Sequence, residues 1–172
     1  SIEDRIKKCK KTAIYLRKYR ADYIGILMKD AGKAVKEADQ EISEAIDFIE
    51  YYCWNAQKIF ACTELEVVAK GPVLITPPWN FPLAIPIGGI VSALLMGNSI
   101  ILKPALETVM VSYMLAQAFW NSGIPETVLQ FLPCKDNPEG SLLVQDNRIK
   151  TIILTGASKT ARLFLIKRPD IN

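Results

Sequence analysis

The sequence predicts an α/β fold: a Rossmann-like, mostly parallel sheet with flanking helices, preceded by an α-helical segment. Three observations carry this. Short apolar, β-prone runs at Val73 to Thr76, Ser99 to Leu102, Val128 to Leu132 and Thr151 to Thr155 alternate with helical stretches. The connections between them are short, which is how βαβ units with parallel strands are built. Polar residues gather where the strands end, namely Thr76 and Asn80 after the first and Lys103 after the second. Ligands of open parallel sheets bind at that edge.

Taken in order, Ser1 to Met28 reads as one helix. Ile2, Ile6, Cys9, Ala13, Leu16, Tyr23 and Leu27 recur at helical spacing. Asp30 to Lys33 is a break. Glu37-Ala38-Asp39 leads into a second helix, with Ile42, Ala45, Ile46, Ile49, Cys53, Ala56 and Phe60 on its apolar face. Glu41, Glu44, Asp47 and Glu50 are assigned to its solvated face. Ala61 to Ala69 is a connector or an edge strand.

The stretch from Val73 to Pro104 has no charge before Lys103. Pro77-Pro78 stops its first strand, since proline fixes φ and donates no backbone hydrogen bond. Pro82 suits the first turn of a helix over Ile85 to Met96, which Gly97-Asn98 ends. Pro77, Pro78, Pro82 and Pro86 with Gly88-Gly89 argue against a membrane span, despite the apolar length. Glu107 to Asn121 is a helix that Ser122 to Pro125 stops. Asn137-Pro138-Glu139 opens one running through Val144. Gly156 to Thr160 turns into a last helix that reaches Lys167, before Pro169. The expected division is a helical segment over 1–60 and an α/β domain over 61–172.

Composition narrows the chemistry. Half of the 172 residues are hydrophobic and net charge is +3, enough for a core and too little for a charge-driven binder. The basic residues from Arg5 to Arg20 read as a solvated helix face, and no nucleic-acid partner is expected. There is no histidine, and none of the four cysteines forms a C-x-x-C pair, so no zinc site of Cys and His is expected. A Ser-His-Asp or Cys-His mechanism is excluded within the chain. No signal-peptide pattern opens it, which predicts a reducing, cytoplasmic setting.

Three strand ends could carry chemistry. Asn80 can donate its amide to a developing oxyanion, or simply cap the following helix. Lys103 can donate to sugar hydroxyls or a phosphate, or be a charge at a strand end. Gly156 before a helix N-terminus lets backbone amides approach a phosphate, or is an ordinary βα turn. The full G-x-G-x-x-G fingerprint is absent.

Together these segments resemble the aldehyde dehydrogenase superfamily. The matching residues are P-W-N-F-P (Pro78 to Pro82), G-N-S-I-I-L-K-P-A (Gly97 to Ala105), S-G-I-P-E-T-V-L-Q-F-L-P (Ser122 to Pro133) and L-T-G-A-S-K-T-A (Leu154 to Ala161). Within it the chain looks most similar to glutamate-γ-semialdehyde (pyrroline-carboxylate) dehydrogenases, including the dehydrogenase module of bifunctional proline-utilisation proteins.

The resemblance implies oxidation of an aldehyde to a carboxylate in proline catabolism, with NAD⁺ or NADP⁺. A cysteine thiolate attacks the aldehyde, hydride leaves to the nicotinamide, and a glutamate helps water hydrolyse the thioester. Asn80 would stabilise the oxyanion. Thr76, Pro77 and Trp79 would line the cofactor cleft and Lys103 would bind the adenosine ribose. Gly156, Ala157, Ser158 and Thr160 would meet the pyrophosphate and the nearby ribose. The resemblance also implies a homo-oligomer for the full-length enzyme. A non-catalytic nucleotide-binding or interaction module of the same fold, and an acyl-thioester reductase, are the alternatives.

Departures from the family pattern shape these expectations. Leu106 stands where many members have a ribose-gripping glutamate, with Glu107 next to it. Ala157 and Ala161 replace a serine and a glycine, and the loop after the third strand reads Cys134-Lys135-Asp136 where a glycine is usual. The family's catalytic cysteine and general-base glutamate lie downstream of the last helix here. The catalytic domain is thus expected to be absent from this chain, and the chain alone is expected to be inactive.

Overall fold

The computed structural model describes residues 1–171. Three helices open the chain: α1 (Ile2–Lys18), α2 (Arg20–Ala31) and α3 (Val35–Ala61). A parallel α/β unit follows, with β1 (Val73–Thr76), α4 (Ala84–Leu95), β2 (Ile100–Leu102), α5 (Val109–Asn121), β3 (Leu129–Phe131), α6 (Ser141–Gln145), β4 (Thr151–Leu154) and α7 (Ser158–Lys167). The sheet order is β3-β2-β1-β4, and all three pairings are parallel.

Alternation along the strands assigns the two faces. Val73, Ile75, Ile100, Leu102 and Leu129 point into the large core, which they share with α1 to α5. Leu74 points the other way, toward Val144 of α6 and Phe164 of α7. That second face is thinly covered: α7 has no buried residue, and its Leu163, Leu165 and Ile166 are exposed. Gly97 takes φ +86° and ends α4, where only glycine turns without strain. The neighbouring Asn98 then ties the entry to β1, its Oδ1 accepting from the amides of Lys70 and Gly71 at 2.8 and 3.1 Å.

The α/β arrangement predicted from the sequence is the one observed, with local corrections. The single helix expected over 1–28 is two, broken at Tyr19 (φ −102°, ψ 23°). The break redirects α2 so that Tyr23 buries its ring and donates its hydroxyl to Met114 O at 2.8 Å. It also lets Arg20 clamp α3, with Nε on Asp39 Oδ1 at 2.6 Å and a second nitrogen on Ser43 Oγ at 2.6 Å. Residues 62–69 form no strand. The helix expected from Glu107 begins as a 3₁₀ turn, Leu106–Thr108, before α5. The segment opening at Asn137 is a wide turn, Asp136–Gly140, in which Asn137 is extended (φ −135°, ψ 134°).

The clearest correction concerns Glu41. It does not belong to the solvated face of α3 but is 2 % exposed, beneath the start of α4. Among the described residues, no helix is long and apolar enough to cross a membrane.

Candidate functional site: a cavity at the strand switch point

The chain leaves β1 toward β2 on one side and returns from β3 to β4 on the other; β1 and β4 stay paired to Thr76 and Leu154, and the connections after them lead to helices on opposite faces of the sheet. Such a switch point opens a crevice without any special residue. Here it is a cavity of about 870 Å³, within the ~300–1,000 Å³ range of small-molecule and cofactor sites.

β1 supplies Thr76, Pro77, Trp79 and Asn80 to this cavity. Thr76 and Pro77 are buried, whereas Trp79 and Asn80 are exposed. The Asn80 amide has no hydrogen-bond partner among the described residues. It does not cap α4, whose N-cap is Leu83. That capping is done from α3: Glu41 Oε1 accepts from the amides of Leu83 at 2.8 Å and Ala84 at 3.1 Å. The Asn80 side chain is thus free to donate into the cavity.

β2 delivers Lys103, whose side chain is 9 % exposed and whose Nζ lies 2.7 Å from Asp136 Oδ1. Its amide donates to Ile75 O at 3.0 Å, so the lysine is fixed at the sheet's edge. Gly140 makes room for it: a Cβ there would stand 2.9 Å from Lys103 Cε and 3.0 Å from Lys135 O. The 3₁₀ turn after β2 brings Leu106 and Glu107 to the rim.

β4 ends in Thr155 and Gly156, after which α7 begins. Gly156, Ala157 and Thr160 line the cavity, and Ser158 does not. No side chain caps α7. The amide of Thr160 donates to Ala157 O at 2.9 Å, whereas those of Ser158 and Lys159 have no acceptor within the helix, and the helix dipole favours an anion at that end. Lys167 also reaches the cavity wall, its Nζ donating to Ser141 Oγ.

The residues present fit a dinucleotide. A buried lysine, a helix start without a side-chain cap and a glycine that leaves room for the lysine's end converge on one cleft. The cysteines do not join them. Cys9 and Cys53 are buried between α1 and α3, Cys62 follows α3, and Cys134 is not on the cavity wall. Burial raises the Cys134 thiol pKa, which disfavours the thiolate.

All the site residues expected from sequence except Ser158 therefore meet at one cavity. Glu41, Asp136, Gly140 and Lys167 were not foreseen. Glu41 had a signal: with Ala38, Ala45 and Ile49 it falls on one stripe of α3. Gly140, just before a helix, was legible as a glycine but not as a neighbour of Lys103.

Comparison with known proteins bears on the family and the fold. The aldehyde dehydrogenase family model matches residues 1–167. The bifunctional protein PutA of Escherichia coli (strain K12) is 35 % identical over 154 residues, covering 90 % of this chain and 12 % of that protein. The 1-pyrroline-5-carboxylate dehydrogenase of Anoxybacillus flavithermus is 34 % identical over 157 residues, covering 86 % of this chain and 30 % of that one. The solved structure of proline utilization A from Corynebacterium freiburgense superposes with a TM-score of 0.96 at 36 % identity, covering 100 % of this chain and 18 % of that one. The chain thus spans 12 to 30 % of the length of these relatives.

Proposed function

The chain belongs to the aldehyde dehydrogenase family, and from that premise we propose that it forms the dinucleotide-binding part of an enzyme that oxidises glutamate γ-semialdehyde to glutamate in proline catabolism. The carrying observation is the convergence of Asn80, Lys103 and the uncapped start of α7 on one cavity. The choice of aldehyde rests on the relatives named PutA and 1-pyrroline-5-carboxylate dehydrogenase.

In this reading Lys103 holds the adenosine ribose, and the segment Gly156 to Thr160 receives the pyrophosphate on its backbone amides. Glu107, at the rim beside Leu106, sets the preference between NAD⁺ and NADP⁺. Bound there, the dinucleotide supplies the hydride acceptor. Thr76, Pro77 and Trp79 wall the cleft toward the reacting end. Asn80 donates its amide N–H to the aldehyde oxygen as negative charge develops on it. In this reading the attacking thiolate and the water-activating carboxylate come from residues outside these 172; the lack of a cysteine on the cavity wall among the described residues supports it for the thiolate. Residues 61–172 are then a partial cofactor domain, with 1–60 as its helical brace. We place the complete enzyme in the cytoplasm as a homo-oligomer.

The test is steady-state turnover. The complete protein with glutamate γ-semialdehyde and NAD⁺ forms NADH above a heat-denatured blank, and residues 1–172 alone form none. Absence of turnover by the complete protein, or turnover by the chain alone, contradicts the proposal.

A further inference from the structure

Beneath the loop that carries Asn80 lies a buried ion pair that the cavity itself does not use. Glu41 is 2 % exposed and accepts from the amides of Leu83 and Ala84, three and four residues beyond Asn80. Its other oxygen is paired with Lys33 Nζ at 2.5 Å, where the lysine side chain is 12 % exposed. The same ammonium stands 4.0 Å from the centre of the Phe81 ring, the residue next to Asn80. Pro82, between these anchors, has no N–H to offer.

A buried carboxylate is costly unless fully paired. A surface helix start can be capped far more cheaply, by a local Ser, Thr, Asp or Asn. The loop Trp79 to Leu83 offers only Asn80 for that purpose, and Asn80 points elsewhere. The cap is supplied instead from a residue 42 positions earlier. An asparagine whose Oδ1 accepted from the α4 amides would have its side chain aimed at the helix start instead of at the cavity.

We propose that Glu41, with Lys33 as its counter-ion, is the positioning residue for Asn80. It takes over the capping duty that would otherwise draw the amide inward, and it fixes Phe81 and Leu83 on either side. The inference rests on reading Asn80 as the oxyanion donor.

The experiment measures kcat, aldehyde KM and NAD⁺ Kd in the complete protein for Glu41→Ala, Glu41→Gln, Asn80→Ala and the Glu41→Ala/Asn80→Ala pair. Glu41→Ala is expected to lower kcat about 10- to 100-fold, the scale of an ångström's misplacement, with NAD⁺ Kd within about twofold. Glu41→Gln keeps an oxygen that accepts from both amides and recovers most of the loss. The double variant is no slower than Asn80→Ala, because a misaimed donor cannot be lost twice.

Wild-type kcat in Glu41→Ala, or losses that multiply in the double variant, overturn the inference while leaving the oxyanion reading intact. Wild-type kcat in Asn80→Ala overturns that reading and the inference together. If Glu41→Ala does not fold, Lys33→Met replaces it, keeping the aliphatic stem and dropping the charge. Its kcat loss is expected in the wild-type background and absent in Asn80→Ala; an equal loss in both overturns the inference.

Discussion

Lys103 Nζ and Asp136 Oδ1 lie 2.7 Å apart, and the two side chains differ sharply in freedom: 9 % exposed for the lysine and 87 % for the aspartate. The aspartate can swing into water, whereas the lysine is held by its strand and by the space at Gly140. A ribose hydroxyl can therefore replace Asp136 without moving Lys103.

Lys103→Ala is expected to weaken NAD⁺ binding roughly 10- to 150-fold, since a hydrogen bond to a charged group is worth about 1.5–3 kcal/mol. Asp136→Asn is expected to change it only a few-fold, because the partner is a solvated carboxylate. Calorimetric titration of the complete protein checks both. Equal binding by Lys103→Ala and wild type removes the lysine from the site.

Gly140→Ala separates position from charge. The added Cβ meets Lys103 Cε at 2.9 Å and the fixed carbonyl of Lys135 at 3.0 Å, so the lysine end must yield. NAD⁺ affinity is expected to fall about 10-fold or more with the charge intact, one such factor being about 1.4 kcal/mol. Unchanged affinity shows that Lys103 tolerates displacement and does not need its observed place.

This glycine marks where the sequence stops speaking. Long periodic stretches were legible, because the apolar residues of α1, α3 and α5 repeat at helical spacing. The strands were legible as uncharged runs between glycine and proline. Tyr19 was not, because neither glycine nor proline breaks the helix there; the pull comes from Arg20 on α3 and Tyr23 on α5. Asn80 stayed ambiguous for a related reason. Whether it caps α4 depends on what else does, and Glu41 is remote in sequence.

Asn80→Ala is expected to reduce kcat about 10²- to 10³-fold in the complete protein, the range for loss of one oxyanion donor. NAD⁺ affinity should stay nearly constant. A kcat within a few-fold of wild type returns Asn80 to a structural role.

In the proposed function, cofactor choice turns on the rim. Leu106 offers no carboxylate to repel a 2′-phosphate, while exposed Glu107 is next to it. If Glu107 swings onto the ribose, NAD⁺ is preferred and Glu107→Ala narrows the NAD⁺/NADP⁺ difference in Kd. An unchanged ratio in Glu107→Ala excludes that residue from discrimination.

Acid should loosen the loop between α6 and β4. Asp146 is held well below the ordinary value of 3.8, chiefly by the Arg148 guanidinium and its backbone amide. A carboxyl depressed in the folded state stabilises above its unfolded pKa, and that contribution fades as pH falls through about 4 and below. The Tm difference between wild type and Asp146→Asn is therefore largest near neutrality and shrinks on acidification. A difference that does not change with pH contradicts the assignment.

The central claim is that the β1/β4 crevice holds the dinucleotide, and a crystal structure of the complete protein with NAD⁺ tests it most directly. The account predicts the pyrophosphate against the backbone of Gly156 to Thr160, Lys103 Nζ on the adenosine ribose with Asp136 displaced, and the nicotinamide end toward Asn80. A dinucleotide bound elsewhere, or a crevice left empty at saturating NAD⁺, would contradict it.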